Sequence, residues 1–389
     1  MRTVTLPVGY MPLVDAAPLI VAREMGFDHE EGVSLDLRPA PSWSSLRDML
    51  AFGQVDAAHL LAPVPVAMAL GLGGMATPLS AVSVLSLNGN VIGVGTKLEQ
   101  RLRDRGYQFD FHDAKAAGAA LAQVADDPLV FGVPFPFSMH VELLRYWVEG
   151  TDLAAKQVEI RTVPPPLMAR AVAAGEIDAF CVGEPWGSFS VDDQVGALLL
   201  PGRAIWTCAP EKVLAVRTEW AATEPHLLGS LMRAVWRAGR WLAKADSHTT
   251  ASEMLSRQSY LNVPAELVDR ALLGDFAISA RGEQRHCNGF VEFFDGAASF
   301  PWRSQAKWIA HKLASRYGID PKIAERQGAG VFRSDLYRDA LGNVGADLPG
   351  ASEKLEGAIP EATAVASTHG SLILPPNVFF DRRIFEPTE

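Results

Sequence analysis

Apolar positions along the chain change period several times. Residues 3–8 alternate apolar and polar, the period of a strand. Residues 16–25 then carry apolar side chains at helical spacing, and Gly26 supplies a stop. Residues 33–37 alternate again, and residues 44–52 return to the helical period. This β-α-β-α-β order predicts a doubly wound α/β sheet.

One pattern occurs twice. Gly53-Gln54-Val55-Asp56-Ala57 follows a helical run, and so does Gly175-Glu176-Ile177-Asp178-Ala179. Each copy leads into a short, continuously apolar stretch, the pattern of a strand covered on both faces. The glycine takes the left-handed position that ends a helix. The aspartate sits in the tight connection, where it can accept from nearby backbone amides. Two copies about 120 residues apart predict two α/β lobes.

Strands are expected at 129–133 and 158–163, with helices at 139–148 and 167–174. Residues 91–94 are expected to begin the crossing to the second lobe, and the chain to return near Trp206. Lobe I is therefore drawn as 1–94 with 206–389, and lobe II as 95–205. Pro225 opens a long amphipathic helix with Leu227, Leu228, Leu231, Met232, Val235 and Trp236 on one face. The pattern stays mostly helical to Leu341, before a Pro- and Gly-containing tail.

Composition narrows the function classes. The 389 residues include 48% hydrophobic and 21% charged side chains, which supports a large core. The net charge of −10 argues against a nucleic-acid surface. It also means that an anionic ligand would need donors supplied locally. Cys181, Cys208 and Cys287 have no paired spacing, so no disulfide framework is expected. No long apolar stretch follows Met1-Arg2. That predicts a cytoplasmic protein with neither leader nor membrane span. Zinc-type spacings, a complete phosphate loop and a nucleophile elbow are all missing, so neither metal, cofactor nor catalysis is expected.

In open α/β sheets ligands bind beyond the carboxyl ends of strands. That singles out Ala62-Pro63 in one lobe and Gly183-Glu184-Pro185-Trp186 in the other. Further segments, in order, are Ala16-Ala17-Pro18-Leu19, Ser42-Trp43, Asp56-Ala57-Ala58-His59, Leu87-Asn88-Gly89-Asn90, Phe135-Pro136 with His140, Pro164-Pro165-Pro166, Pro210-Glu211-Lys212-Val213, Phe332-Arg333-Ser334-Asp335, and the Phe379-Phe380-Asp381 tail. Together these resemble the nitrate- and bicarbonate-binding proteins of ABC importers (the NrtA/CmpA-like family), and the resemblance spans nearly the whole chain. It implies a type II periplasmic-binding-protein fold, two doubly wound lobes around a central cleft. Carried over motif by motif, it places a nitrate or nitrite site on Trp43, Asn90, His140, Gly183 and Lys212. His59, Glu184, Trp186 and Glu211 are expected to lie just behind them. Importer relatives often carry Gln where this chain has Asn90, one methylene longer.

The missing leader makes the chain resemble the NasS-type cytoplasmic nitrate/nitrite sensors within that family. That resemblance implies a protein partner, an RNA-binding (NasT-like) transcription antiterminator held in the ligand-free state. The alternative is an ABC-transporter substrate-binding protein for nitrate or bicarbonate. Read without the family, each residue has a plainer explanation. Trp43 beside a helix start packs as core, Asn90 turns the chain, and Lys212 is a solvated cation.

Overall fold

The computed structural model describes residues 3–388. Met1, Arg2 and Glu389, the outermost residues of the expected first lobe, lie outside them.

The strands in chain order are β1 (Val4–Tyr10), β2 (Val33–Pro39), β3 (Ala57–Leu61), β4 (Leu79–Asn88), β5 (Asn90–Gly95), β6 (Leu129–Val133), β7 (Val158–Thr162), β8 (Ala179–Gly183), β9 (Gly196–Pro201) and β10 (Pro210–Arg217). They form two sheets. The first has six strands in the order Val291–Glu292, β4, β10, β3, β1, β2, and the second five in the order β7, β6, β8, β5, β9. Each has a parallel core: β1 beside β2 and β3, and β6 beside β7 and β8. Each also takes in one antiparallel strand from a chain crossing. β10 lies between β3 and β4, and β5 lies between β8 and β9. Both sheets are therefore mixed, each built on the parallel core expected of a doubly wound lobe.

The internal repeat explains why the two halves look alike. Gly53 and Gly175 have φ of 74° and 69°. After each comes a fully buried strand, β3 or β8. The two aspartates act differently. Asp178 accepts from the Val130 amide at 2.9 Å and so ties β8 to β6. Asp56 Oδ1 instead lies 3.4 Å from an Arg217 guanidinium nitrogen.

Two expectations need correction. β4, ten residues long and buried throughout, was not foreseen. It holds Ser80, Ser83 and Ser86 at buried positions, which blurred its apolar pattern. The first crossing comes earlier than the expected boundary at 94. Asn88 and Gly89 both take left-handed backbone, with φ of 57° and 96°, and β5 already belongs to the second sheet.

Five helices matter below: α1 (Ala17–Glu24), α2 (Trp43–Ala51), α3 (Met139–Glu149), α4 (Pro225–Leu242) and α5 (Arg303–Tyr317). Ser42 caps α2 by accepting from the Ser45 amide at 3.1 Å, and Ser138 caps α3 from Val141 at 3.3 Å. Both are the hydroxyl caps that satisfy free amides of a first turn. α4 buries Leu228, Leu231, Met232, Val235 and Trp236, one face at helical spacing.

The tail runs back across the molecule. Trp206 Nε1 donates to Asn377 Oδ1 at 2.7 Å. The Phe379 ring lies 4.8 Å from Trp206 and 5.2 Å from Tyr146 of α3, centroid to centroid. The Tyr146 hydroxyl donates to the Asp381 carboxylate at 2.9 Å. The tail thus touches both the second crossing and the half that carries α3.

Candidate functional site

Seven chain segments meet at one place between the sheets. The turn after β1 supplies Asp15, and β3 supplies His59 from its middle. β10 enters antiparallel, so its first residues, Glu211 and Lys212, face the carboxyl end of β3, and Lys212 pairs in register with Leu61. From the second half come Asn90 at the start of β5 and Gly183 at the end of β8, paired in register with each other. The first turns of α2 and α3 add Trp43 and His140. This is the crevice in which open α/β sheets bind ligands.

The five residues expected to hold the ligand are all buried here, and they surround a compact polar cluster. Lys212 sits at its centre, fully buried. Its Nζ lies 2.7 Å from Asp15 Oδ2 and donates to Glu211 Oε1 at 3.0 Å. It also stands 5.5 Å from the centroid of the Trp43 ring. Glu211 Oε2 accepts from Asn90 Nδ2 at 2.8 Å, and its Oε1 lies 3.1 Å from His140 Nδ1. Asp15 Oδ1 lies 3.0 Å from His59 Nε2, and the His59 ring tilts against Trp43 at 5.8 Å. A Cβ built on Gly183 would meet Leu13 at 2.8 Å and Asp15 Oδ2 at 3.8 Å. A larger residue there would have to push the end of the Leu13 side chain aside, so glycine suits the close approach of β8 to the Asp15 turn.

Of the residues expected behind the site, His59 and Glu211 lie in the cluster. Glu184 and Trp186 lie outside it, against the turn that carries Asp15: the Glu184 carbonyl accepts from the Val14 amide at 3.0 Å and Trp186 Nε1 donates to the Pro12 carbonyl at 3.4 Å. Glu184 Oε2 accepts from the Ser188 amide at 3.1 Å, inside the turn after β8. The Trp186 ring stacks on Phe189 at 5.3 Å. Sequence reasoning missed Asp15. Nothing in its local pattern marks it as a partner for Lys212. Its position in the first strand-to-helix connection was the available clue.

Burial decides the protonation states. It would push the Asp15 carboxyl up, but the Lys212 ammonium and the His59 contact outweigh it and hold Asp15 well below the usual carboxylate range. Burial pushes Glu211 up to about 7, against the pull of Lys212. It would likewise lower Lys212, yet the two carboxylates more than offset it and raise that group. Burial drives His59 down and His140 well down, so both imidazoles are neutral at pH 7. His140 also sits in the first turn of α3, where the helix dipole disfavours a cation.

Buried ring nitrogens of this cluster without a hydrogen-bond partner among the described residues include Trp43 Nε1, a donor, and His140 Nε2, which donates when the neutral ring carries its one proton there. A buried donor left unpaired costs about 1–3 kcal/mol. Lys212 has three N–H directions, and carboxylates take two. The cluster thus offers N–H groups of Trp43 and Lys212 to a ligand without donors, and a third from His140 in the Nε2–H tautomer.

A family model described as the NMT1-like family matches residues 2–256, about two thirds of the chain. The chain belongs to the NMT1-like family. This NMT1-like chain is 32% identical over 360 residues to the nitrate import ATP-binding protein NrtC of Synechocystis sp. PCC 6803, covering 90% of the chain and 52% of that relative. It thus spans about half of the ATP-binding relative it matches. It is 29% identical over 366 residues to the nitrate/nitrite binding protein NrtA of Nostoc sp. PCC 7120, covering 91% and 81%. The crystal structure of the periplasmic nitrate-binding protein NrtA from Synechocystis PCC 6803 superposes with a TM-score of 0.81 at 26% identity, covering 99% of this chain and 96% of that one. The α/β periplasmic-binding-protein fold expected from the sequence is therefore the fold of this NMT1-like protein.

Proposed function

We propose that the protein binds one small planar oxyanion, nitrate or nitrite, between its two sheets, and acts by binding, not by turnover. Trp43, Asn90, His140, Gly183 and Lys212 form the walls and contacts. The observation that carries this reading is the buried, unpartnered Trp43 Nε1 donor beside the remaining N–H of Lys212, with the unpartnered His140 Nε2 adding a third donor in its Nε2–H tautomer. Nitrate offers acceptor oxygens and no donor, so it suits a pocket of N–H groups. Hydrogen bonds to a charged partner contribute roughly 1.5–3 kcal/mol each. Three of them support micromolar affinity, about −8 kcal/mol, after ordering costs. The relatives named for nitrate and nitrite support the choice of ligand. Isothermal titration calorimetry with each anion is the test. Saturable binding is expected, and no heat with either would sink the reading.

The site is sealed, with Trp43, Asn90, His140 and Lys212 at most 2% exposed, so entry and exit need the halves to part. Ligand binding then shifts the balance toward the closed form, and a partner can read that change. In the sensor reading, that partner is an RNA-binding antiterminator, held by the ligand-free protein in the cytoplasm and released by nitrate. The second reading is a receptor for an ABC importer of nitrate or bicarbonate. It is favoured by the similarity to a nitrate import protein of Synechocystis. Co-purification separates them. The sensor reading requires an antiterminator complex that nitrate dissolves, and a complex with a permease that nitrate strengthens would replace it.

A further inference from the structure

The charges around Lys212 do not favour an anion as they stand. Lys212 carries the one positive charge in direct contact with the cluster. Asp15 lies 2.7 Å from its Nζ and Glu211 lies 3.0 Å away, both buried. With both carboxylates ionised, the cluster is already net negative before any ligand arrives. An added monoanion would place three negative charges around one ammonium in a sealed, low-dielectric space. Interactions between buried charges are screened far less than at a surface, so the repulsion is large.

The groups facing Glu211 narrow the remedy to one residue. Lys212 lies on its own strand, Asp15 comes from the turn after β1, and His140 comes from α3. Cys181 comes from β8, and the uncharged Asn90 from β5. His59, one contact further on, touches Asp15 and not Glu211. Asp15 is ion-paired on one side and lies against an imidazole on the other, so it stays ionised. Burial holds the Cys181 thiol well above its usual value, so it stays neutral. Burial and the neighbouring ammonium keep His140 neutral. Glu211 is the carboxylate that burial already brings close to neutrality near pH 7.

We propose that Glu211 is the proton acceptor of the ligand site, so that a donor-free monoanion such as nitrate enters together with one solvent proton that Glu211 takes up. Binding then leaves the total charge of the cluster unchanged. No bond other than this O–H is formed. The proton neutralises one of the two carboxylates beside the Lys212 ammonium and frees part of that charge for the anion. Protonated Glu211 keeps its Oε2 available to Asn90 and its Oε1 beside His140 Nδ1. This rests on the nitrate/nitrite reading above and adds a stoichiometric proton to it.

The test is calorimetry of the whole chain with sodium nitrate between about pH 6 and pH 8, repeated in phosphate and in Tris, whose ionisation enthalpies differ. For a group near 7 in the free protein that is protonated in the complex, linkage predicts an apparent Kd about tenfold weaker at pH 8 than at pH 6. The heat at pH 8 should differ between buffers by close to one proton per nitrate. An infrared difference spectrum at pH 8 should gain a protonated-carboxyl band on adding nitrate. Glu211→Gln, neutral and nearly isosteric, should bind nitrate with the same Kd at both pH values and lose both proton signatures. Wild-type binding that is independent of pH and buffer overturns the proton uptake while leaving the nitrate reading intact. A pH dependence that survives in the Gln variant overturns the assignment to Glu211. Absence of binding at every pH removes the nitrate reading, and the proton with it.

Discussion

Asp15 Oδ2 and Lys212 Nζ lie 2.7 Å apart, both buried, and join the first turn of the chain to the strand that returns from the second sheet. The sequence suggested a lysine free to meet a ligand, so its removal was expected to cost affinity alone. The structure changes that expectation. Lys212→Ala leaves Asp15 and Glu211 buried without their counter-ion, and breaking a buried pair from one side costs about 3–5 kcal/mol. We expect a large loss of stability on thermal or urea unfolding together with loss of nitrate binding. The Asp15→Asn, Lys212→Met double variant should recover much of the stability and none of the binding. A double variant as unstable as Lys212→Ala would show that the pair does not carry this energy.

Trp43 has two roles that a single truncation would confuse. It is 2% exposed and packs on His59, so Trp43→Ala should cost about 3–5 kcal/mol as an unfilled core position. Trp43→Phe keeps an aromatic ring and removes the unpartnered Nε1 donor. We expect the Phe variant to fold with a nearly unchanged melting temperature and to bind nitrate about tenfold more weakly, the worth of roughly one hydrogen bond. Unchanged affinity would assign Trp43 to packing alone.

Much of this architecture was legible in local pattern. The Gly-x-x-Asp-Ala repeat located β3 and β8, because a helix stop followed by a doubly covered strand leaves a signature in a few residues. What could not be read was set by pairings distant in sequence. β4 carries serines on a buried face, and their hydroxyls are satisfied in part by residues as remote as Thr218 and Ser299. The role of Asp15 follows from Lys212, 197 positions later in the chain (212 − 15). Glu211 was placed behind the ligand contacts because its neighbour carries the motif's cation. The contact of Glu211 with Asn90 and His140 depends on how the second sheet docks, which no local window contains.

Glu184 offers a test of burial without ligand. Its Oε1 is buried with no partner, and burial pushes the carboxyl up to about 7, above its ordinary value of 4.5. A carboxyl with a raised folded pKa stabilises most below its unfolded pKa. That contribution is lost as pH rises through the folded value. Between about pH 4.5 and pH 7 the unfolded chain therefore releases its proton first, and stability falls. Glu184→Gln removes the charge and keeps an oxygen for the Ser188 amide. We expect it to raise stability at pH 8 by about 1–3 kcal/mol and to change it little near pH 4.5. An equal effect at both pH values would point to packing and not to the buried charge.

The two halves also meet away from the ligand cluster. Arg316 Nη2, near the end of α5, lies 2.7 Å from Glu142 Oε1 on α3, with side-chain exposures of 17% and 3%. Tyr317 packs beside this pair against Phe137, with ring centroids 5.9 Å apart. On the proposal that the sheets part to admit a ligand, α3 would separate from α5, and the pair would then favour the closed form. Arg316→Gln should therefore weaken nitrate binding without touching the ligand. A bias worth about 1.4 kcal/mol corresponds to a tenfold weaker Kd. The same change should raise the dissociation rate more than it lowers the association rate, because the loss falls on the closed state. Small-angle scattering of the ligand-free variant should show a larger radius of gyration than the wild type. A variant with wild-type affinity and an unchanged scattering profile would mean that the Glu142–Arg316 contact does not bias closure.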